Sequence, residues 1–131
     1  MAQAHSRAST SLFRCRVVVD VNYRSKLWSP ADARQTFEAV LPHVDLLISS
    51  LGDLQTIFGM PKEAEAAATR FRNDYGVPMV VLTLGSDGAL AHDGTAQRHP
   101  IFPAEVVDRI GAGDAFAAGF LFGLNQRDVA W

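Results

Sequence analysis

Asp108-Arg109-Ile110-Gly111-Ala112-Gly113-Asp114, running on into Ala115-Phe116-Ala117-Ala118-Gly119-Phe120, is the stretch on which the fold turns. Gly111 and Gly113 let the backbone turn tightly and come close to a ligand. The apolar run behind them predicts a helix from near Gly111 to about Asn125. Such a helix presents the N–H groups of Ala112, Gly113 and Asp114 at its positive end, an arrangement suited to a transferring phosphoryl group. Asp114 then stands in the same turn, over whatever hydroxyl attacks. On physical grounds alone, two glycines opening a core helix explain the segment equally well. The Gly-Lys that closes a P-loop is absent, and so is the third glycine of GxGxxG.

Upstream, three apolar runs alternate with helical patterns. Arg16–Val21, Val44–Ser49 and Val77–Leu84 predict buried strands. Ser29-Pro30-Ala31-Asp32 supplies a capping serine, an N1 proline and an early acid, so a helix should run to about Leu41 and end at Pro42. A short helix is expected from Leu51 to Phe58, stopped by Gly59, with Ser50 and Asp53 as its capping box. Pro61 should open another through Tyr75, with Gly76 as its C-terminal cap. Gly88–His92 and Ala96–Pro100 flank Asp93-Gly94 as a hairpin. Buried strands separated by helices predict a parallel sheet covered on both faces, with ligands at the carboxyl ends of its strands.

The 131 residues suit one domain, 48% hydrophobic and 20% charged. A net charge of −2 gives no electrostatic reason to expect nucleic acid or an anionic membrane as partner. Ala115–Leu124, the longest apolar stretch, is about half of a membrane span. Cys15 is the single cysteine, which excludes an internal disulfide and suits a reducing cytoplasm. Met1–Arg14 carries Ser and Arg without acid, a composition shared with transit peptides, but an ordinary frayed start is expected. The tail Asp128-Val129-Ala130-Trp131 follows an apolar helix with nothing further to cover it, and reads as cut short. His5, His43, His92 and His99 have no ligand spacing and are expected to be surface or structural. Phe116, Phe120 and Phe122 are expected in the core, and Glu63, Glu65, Arg70 and Arg72 on a solvated face.

The Asp108–Asp114 segment resembles the DTxGAGD signature of the PfkB, or ribokinase-like, carbohydrate kinases, down to the following Ala-Phe and the later Gly-Phe. Arg109 replaces the family's threonine, outside the glycine turn. The resemblance covers the chain from about residue 16, whereas members of the family are more than twice as long. It implies a three-layer α/β sandwich with a mostly parallel sheet, truncated at both ends. Residues 1–15 would be an irregular start, and 16–131 the nucleotide-binding and catalytic half of a kinase domain. By position, Asp114 becomes the catalytic base and Gly111, Ala112 and Gly113 the anion hole.

Further residues follow from the same resemblance. Thr83-Leu84-Gly85-Ser86-Asp87-Gly88 is similar to the family's nucleotide loop, placing Thr83, Gly85 and Gly88 against ATP. Asp108 is expected beside the cofactor, supporting metal or turn geometry. Asp20-Val21-Asn22-Tyr23-Arg24-Ser25-Lys26-Leu27-Trp28 resembles a segment of 2-keto-3-deoxygluconate kinases, in which the arginine faces an acid sugar; Arg24 and Asn22 then bind substrate. Ser50 and Asp53 fall where the family has Asn and Glu organising Mg²⁺, which leaves Asp53 as the metal-side candidate and weakens the expected metal handling. The implied activity is ATP-dependent phosphorylation of a sugar or keto-sugar acid, by a piece not active alone. The alternatives are a neutral-sugar kinase and a non-catalytic remnant that binds nucleotide or pairs with another chain through a sheet edge. Pairing of copies into a homo-oligomer stays open.

Overall fold

The computed structural model describes residues 15–127. The expectations for Met1–Arg14 and for the tail 128–131 therefore lie outside the described residues. Three strands run parallel: β1 (Val18–Asp20), β2 (Leu46–Ser50) and β3 (Met79–Thr83). A hairpin, β4 (Ala89–His92) and β5 (Ala96–His99), adds to β3 antiparallel, so the sheet order is β1-β2-β3-β4-β5. All three apolar runs became strands, each shorter than the stretch that signalled it. β1 is not buried as expected: Val18 and Val19 are half-buried and Asp20 is exposed, because among the described residues β1 pairs with β2 alone and forms the edge of the sheet.

The connections are helical. α1 (Pro30–Val40) begins where Ser29 Oγ accepts the Asp32 N–H at 3.2 Å, and it passes into a short 3₁₀ turn at Leu41–His43 that absorbs Pro42. α2 (Leu51–Phe58) follows β2 without a loop and ends at Gly59, whose φ of +64° is the left-handed cap expected there. α3 (Ala64–Tyr75) starts three residues later than Pro61 predicted. Glu63 is the reason: its carboxylate accepts the N–H groups of Glu65 (3.1 Å) and Ala66 (2.6 Å), capping the helix there. α4 (Ala112–Gln126) closes the described chain, and no helix among these residues is long and apolar enough to cross a membrane.

The period-2 alternation of the strands splits the core in two. Leu47, Val80, Leu82 and Leu90 face α1, α2 and α3, where Ala33, Leu54, Ala67, Ala68 and Phe71 are fully enclosed. Leu46, Ile48, Met79 and Val81 face the opposite way, against Phe116, Ala117, Phe120, Leu121 and Leu124 of α4. The three layers expected are therefore present. Phe122 departs from its core expectation: it turns away from the sheet and is 66% exposed. A helix apolar on every side does not declare which side the sheet will take.

His92 is buried on β4 and fully engaged by Thr69 Oγ1 (3.0 Å), Arg72 Nη1 (3.2 Å) and the Gly94 N–H (3.2 Å). Arg72, expected in solvent, is drawn inward by this contact and donates to the Pro78 carbonyl at 3.0 Å.

Candidate active site

The parallel register sets the site. Asp20 pairs with Ile48 and Ser50 with Thr83, so the carboxyl ends of three neighbouring strands carry Asp20, Ser50 and Thr83 along one edge. Ser50 Oγ caps α2 by accepting the Asp53 N–H at 3.0 Å. The expected capping box is only half made. The Asp53 carboxylate does not return to Ser50 but accepts the Tyr23 N–H through Oδ2 at 3.3 Å, fastening the loop after β1 to α2. Asn22 makes the turn into that loop with φ +35°, a region that Asn tolerates better than most residues. Tyr23 Oη closes the loop by donating to the Trp28 carbonyl at 3.0 Å, leaving Arg24 exposed.

Charge gathers here. Partial burial pushes the Asp20 carboxyl above its ordinary range, the Asn22 backbone N–H opposes that, the Asp114 and Asp53 charges push it further up, and Arg24 draws it down. Arg24, Asp53 and Asp114 come from the β1 loop, α2 and α4, yet all three act on Asp20 at the end of β1. The sequence motifs scattered over almost a hundred residues thus meet at one end of the sheet.

Gly111 takes φ +75° at the start of α4, the conformation that favours glycine and that makes the turn. Asp108 Oδ1 accepts the Ile110 N–H at 2.9 Å and holds the approach to that turn. Ala112 corrects one expectation: its N–H is not free but donates to the Arg109 carbonyl at 3.2 Å. Among the described residues the N–H groups of Gly113 and Asp114 have no acceptor, so two of the three expected donors remain open at the helix end.

Thr83 and Gly85 line a cleft of about 420 Å³, together with Ser50 and Gly52 from the start of α2. Gly88 is not in its lining. A side chain at Gly88 would strike the His99 carbonyl and lie 2.8 Å from Pro100 Cα, so close strand packing is enough to require glycine there. Lys62 and Arg98 also line the cleft, and no motif announced them, because the α2–α3 connection and β5 reach it only through tertiary structure. Among the described residues no three carboxylate, imidazole or thiol groups meet closely enough to hold a metal ion.

Fold and edge together define an α/β domain with a cleft at the carboxyl ends of its parallel strands, where sheets of this kind take their ligands. The chain belongs to the pfkB family of carbohydrate kinases, whose model matches residues 3–128. It is 45% identical over 103 residues to a 2-dehydro-3-deoxygalactonokinase of Haloferax volcanii, covering 78% of this chain and 32% of that protein. An aminoimidazole riboside kinase of Salmonella enterica, solved with aminoimidazole riboside and an ATP analogue, superposes with TM-score 0.74 at 31% identity over 87% of this chain and 38% of its own. A 2-dehydro-3-deoxygluconokinase of Thermotoga maritima superposes with TM-score 0.70 at 26% identity over 86% of this chain and 39% of its own. The chain thus spans about a third of the length of the curated relatives it matches.

Proposed function

We propose that this chain is the nucleotide-binding and catalytic part of a kinase that transfers the γ-phosphoryl group of ATP to a hydroxyl of a keto-sugar acid. The observation that carries the reading is the division of the strand edge. A charged patch of Asp20, Arg24, Asp53 and Asp114 gathers at β1, while the cleft with Thr83 and Gly85 opens at β2 and β3. Acceptor and donor can lie side by side across it. In the transfer, the acceptor hydroxyl gives its proton to Asp114 as its oxygen bonds to phosphorus, and the bond from phosphorus to the ADP oxygen breaks. The open N–H groups of Gly113 and Asp114 stabilise the charge on the phosphoryl oxygens. Asp108 acts by holding the turn, and Thr83 and Gly85 border the nucleotide.

Arg24 is exposed on the acceptor side, where a guanidinium suits the carboxylate of an acid sugar, with Asn22 setting the loop. Mg²⁺ fits as an ion that keeps most of its waters and arrives with the triphosphate, since one oxygen of Asp53 is already taken by Tyr23. Its role when bound is to neutralise phosphate charge.

The test is a chimera in which residues 16–127 replace the matching segment of the Haloferax volcanii kinase. ATP-dependent phosphorylation of 2-keto-3-deoxy sugar acids is the expected result. A chimera that folds and binds ATP yet phosphorylates no sugar sinks the proposal. The 131-residue chain alone should show weak nucleotide binding and negligible turnover, since water exclusion needs closure over the substrate. A second reading, a non-catalytic piece that docks on another chain, is favoured by the bare apolar side chains of Phe102, Val107 and Ile110 beside α4.

A further inference from the structure

The cleft at the ends of β2 and β3 carries two cations that the family signature leaves unassigned, Lys62 and Arg98, beside the acids Glu63 and Asp87. Glu63 already has two partners of its own, the N–H groups of Glu65 at 3.1 Å and Ala66 at 2.6 Å. Those bonds, Ala66 first and Glu65 second, hold its carboxyl below the usual range, with the Arg98 charge the smallest contribution. Arg98 Nη2 stands 3.6 Å from Glu63 Oε1, beyond hydrogen-bond distance, and both side chains are more than half exposed. Such a pair is weak, and Arg98 can leave it without undoing the α3 cap. Lys62 has no carboxylate partner among the described residues. A phosphate offers a guanidinium two parallel acceptors, which a carboxylate committed to a helix cap does not.

We infer that Arg98 and Lys62 bind the phosphate tail of the nucleotide, Arg98 exchanging its loose contact with Glu63 for a phosphate oxygen as the nucleotide enters. The inference rests on the proposed nucleotide site and adds the residues that would grade its affinity by phosphate number.

Amide NMR titrations of the full chain with ATP and with adenosine test it. In the unmodified chain, ATP should shift the amides of Gly52, Thr83 and Gly85. Arg98→Gln and Lys62→Gln should each weaken ATP about threefold to tenfold and leave adenosine unchanged, as expected for lost charge-assisted contacts. Glu63→Gln keeps a carbonyl oxygen for the α3 cap but removes the competing charge, and should strengthen ATP about twofold to fivefold, the scale of an exposed pair. That gain should vanish in the Glu63→Gln, Arg98→Gln double variant, whereas any gain from Asp87→Asn should persist beside Arg98→Gln. If ATP shifts those amides but none of the variants alters its Kd, the inference fails while the nucleotide site stands. A Glu63→Gln gain that survives the loss of Arg98 overturns the exchange. ATP that leaves Gly52, Thr83 and Gly85 unmoved removes both.

Discussion

On one face of the sheet, Phe58, Phe71 and Tyr75 meet ring to ring with centroids 4.7–5.4 Å apart, and Phe71 is fully enclosed. On the other, Phe116 and Phe120 stack 6.2 Å apart against the strands while Phe122 looks into solvent. Among the described residues the first face has three helices to cover it and the second has α4 alone. The site draws on both. Thr83 and Ser50 are set by the strand register, with Ser50 also capping α2 of the closed face, whereas Asp114 rides on the helix of the open one. Local stability follows buried contact, so the strand-end cleft with Thr83 should be firmly placed and the start of α4 with Asp114 more easily displaced.

The largest test of this contrast is a pair of truncations. Phe71→Ala should cost about 3–5 kcal/mol, the range for emptying a packed aromatic site. Phe122→Ala should stay within about 0.5 kcal/mol, as exposed substitutions do. Denaturant unfolding of both variants compares them, and equal losses would mean that the open face is as well packed as the closed one.

Arg24 sharpens the contrast at the site itself. In the chimera, Arg24→Ala should weaken use of 2-keto-3-deoxygluconate by about 1.5–3 kcal/mol, the scale of a hydrogen bond to a charged group. Fructose should be much less affected. Equal losses in kcat/KM on both sugars would make Arg24 a structural residue.

The smallest effect concerns Asp20. A carboxyl raised in the folded state binds protons more readily there than in the unfolded chain, so its ionisation costs stability as pH rises through the folded value. Asp20→Asn should therefore raise Tm modestly at pH 7. The gain should fade as pH drops below about 4, where the unfolded carboxyl is protonated too. A gain independent of pH would mean that charge is not its source.

Local chemistry made much of this legible. The apolar runs, Ser29-Pro30, Gly59, Gly76 and Asp93-Gly94 each act within a few residues, and each fixed an element close to where it lies. Other roles went unannounced, either because a rival signal lay close by or because the partner lies in distant chain. Pro61 looked like a helix start until the Glu63 carboxylate, two residues on, proved the stronger cap. Asp53 looked like half of a local box, but its carboxylate reaches Tyr23 across 30 residues. Ala112 lost its free N–H to a turn that its sequence does not encode separately from the helix. Lys62 and Arg98 belong to no motif, because the cleft that unites them exists only once β5 lies by the connection between α2 and α3.

Asp114 as the base is the claim on which the rest depends. Steady-state kinetics of the chimera carrying Asp114→Asn, beside Asp108→Asn and with ATP binding measured for each, tests it most directly. Asn keeps the shape of the side chain and removes its ability to take a proton. Asp114→Asn should lower kcat about 10²–10⁴-fold, the span for losing a positioned base, with ATP affinity little changed. Near-normal kcat in Asp114→Asn, with Asp108→Asn inactive, would contradict the assignment.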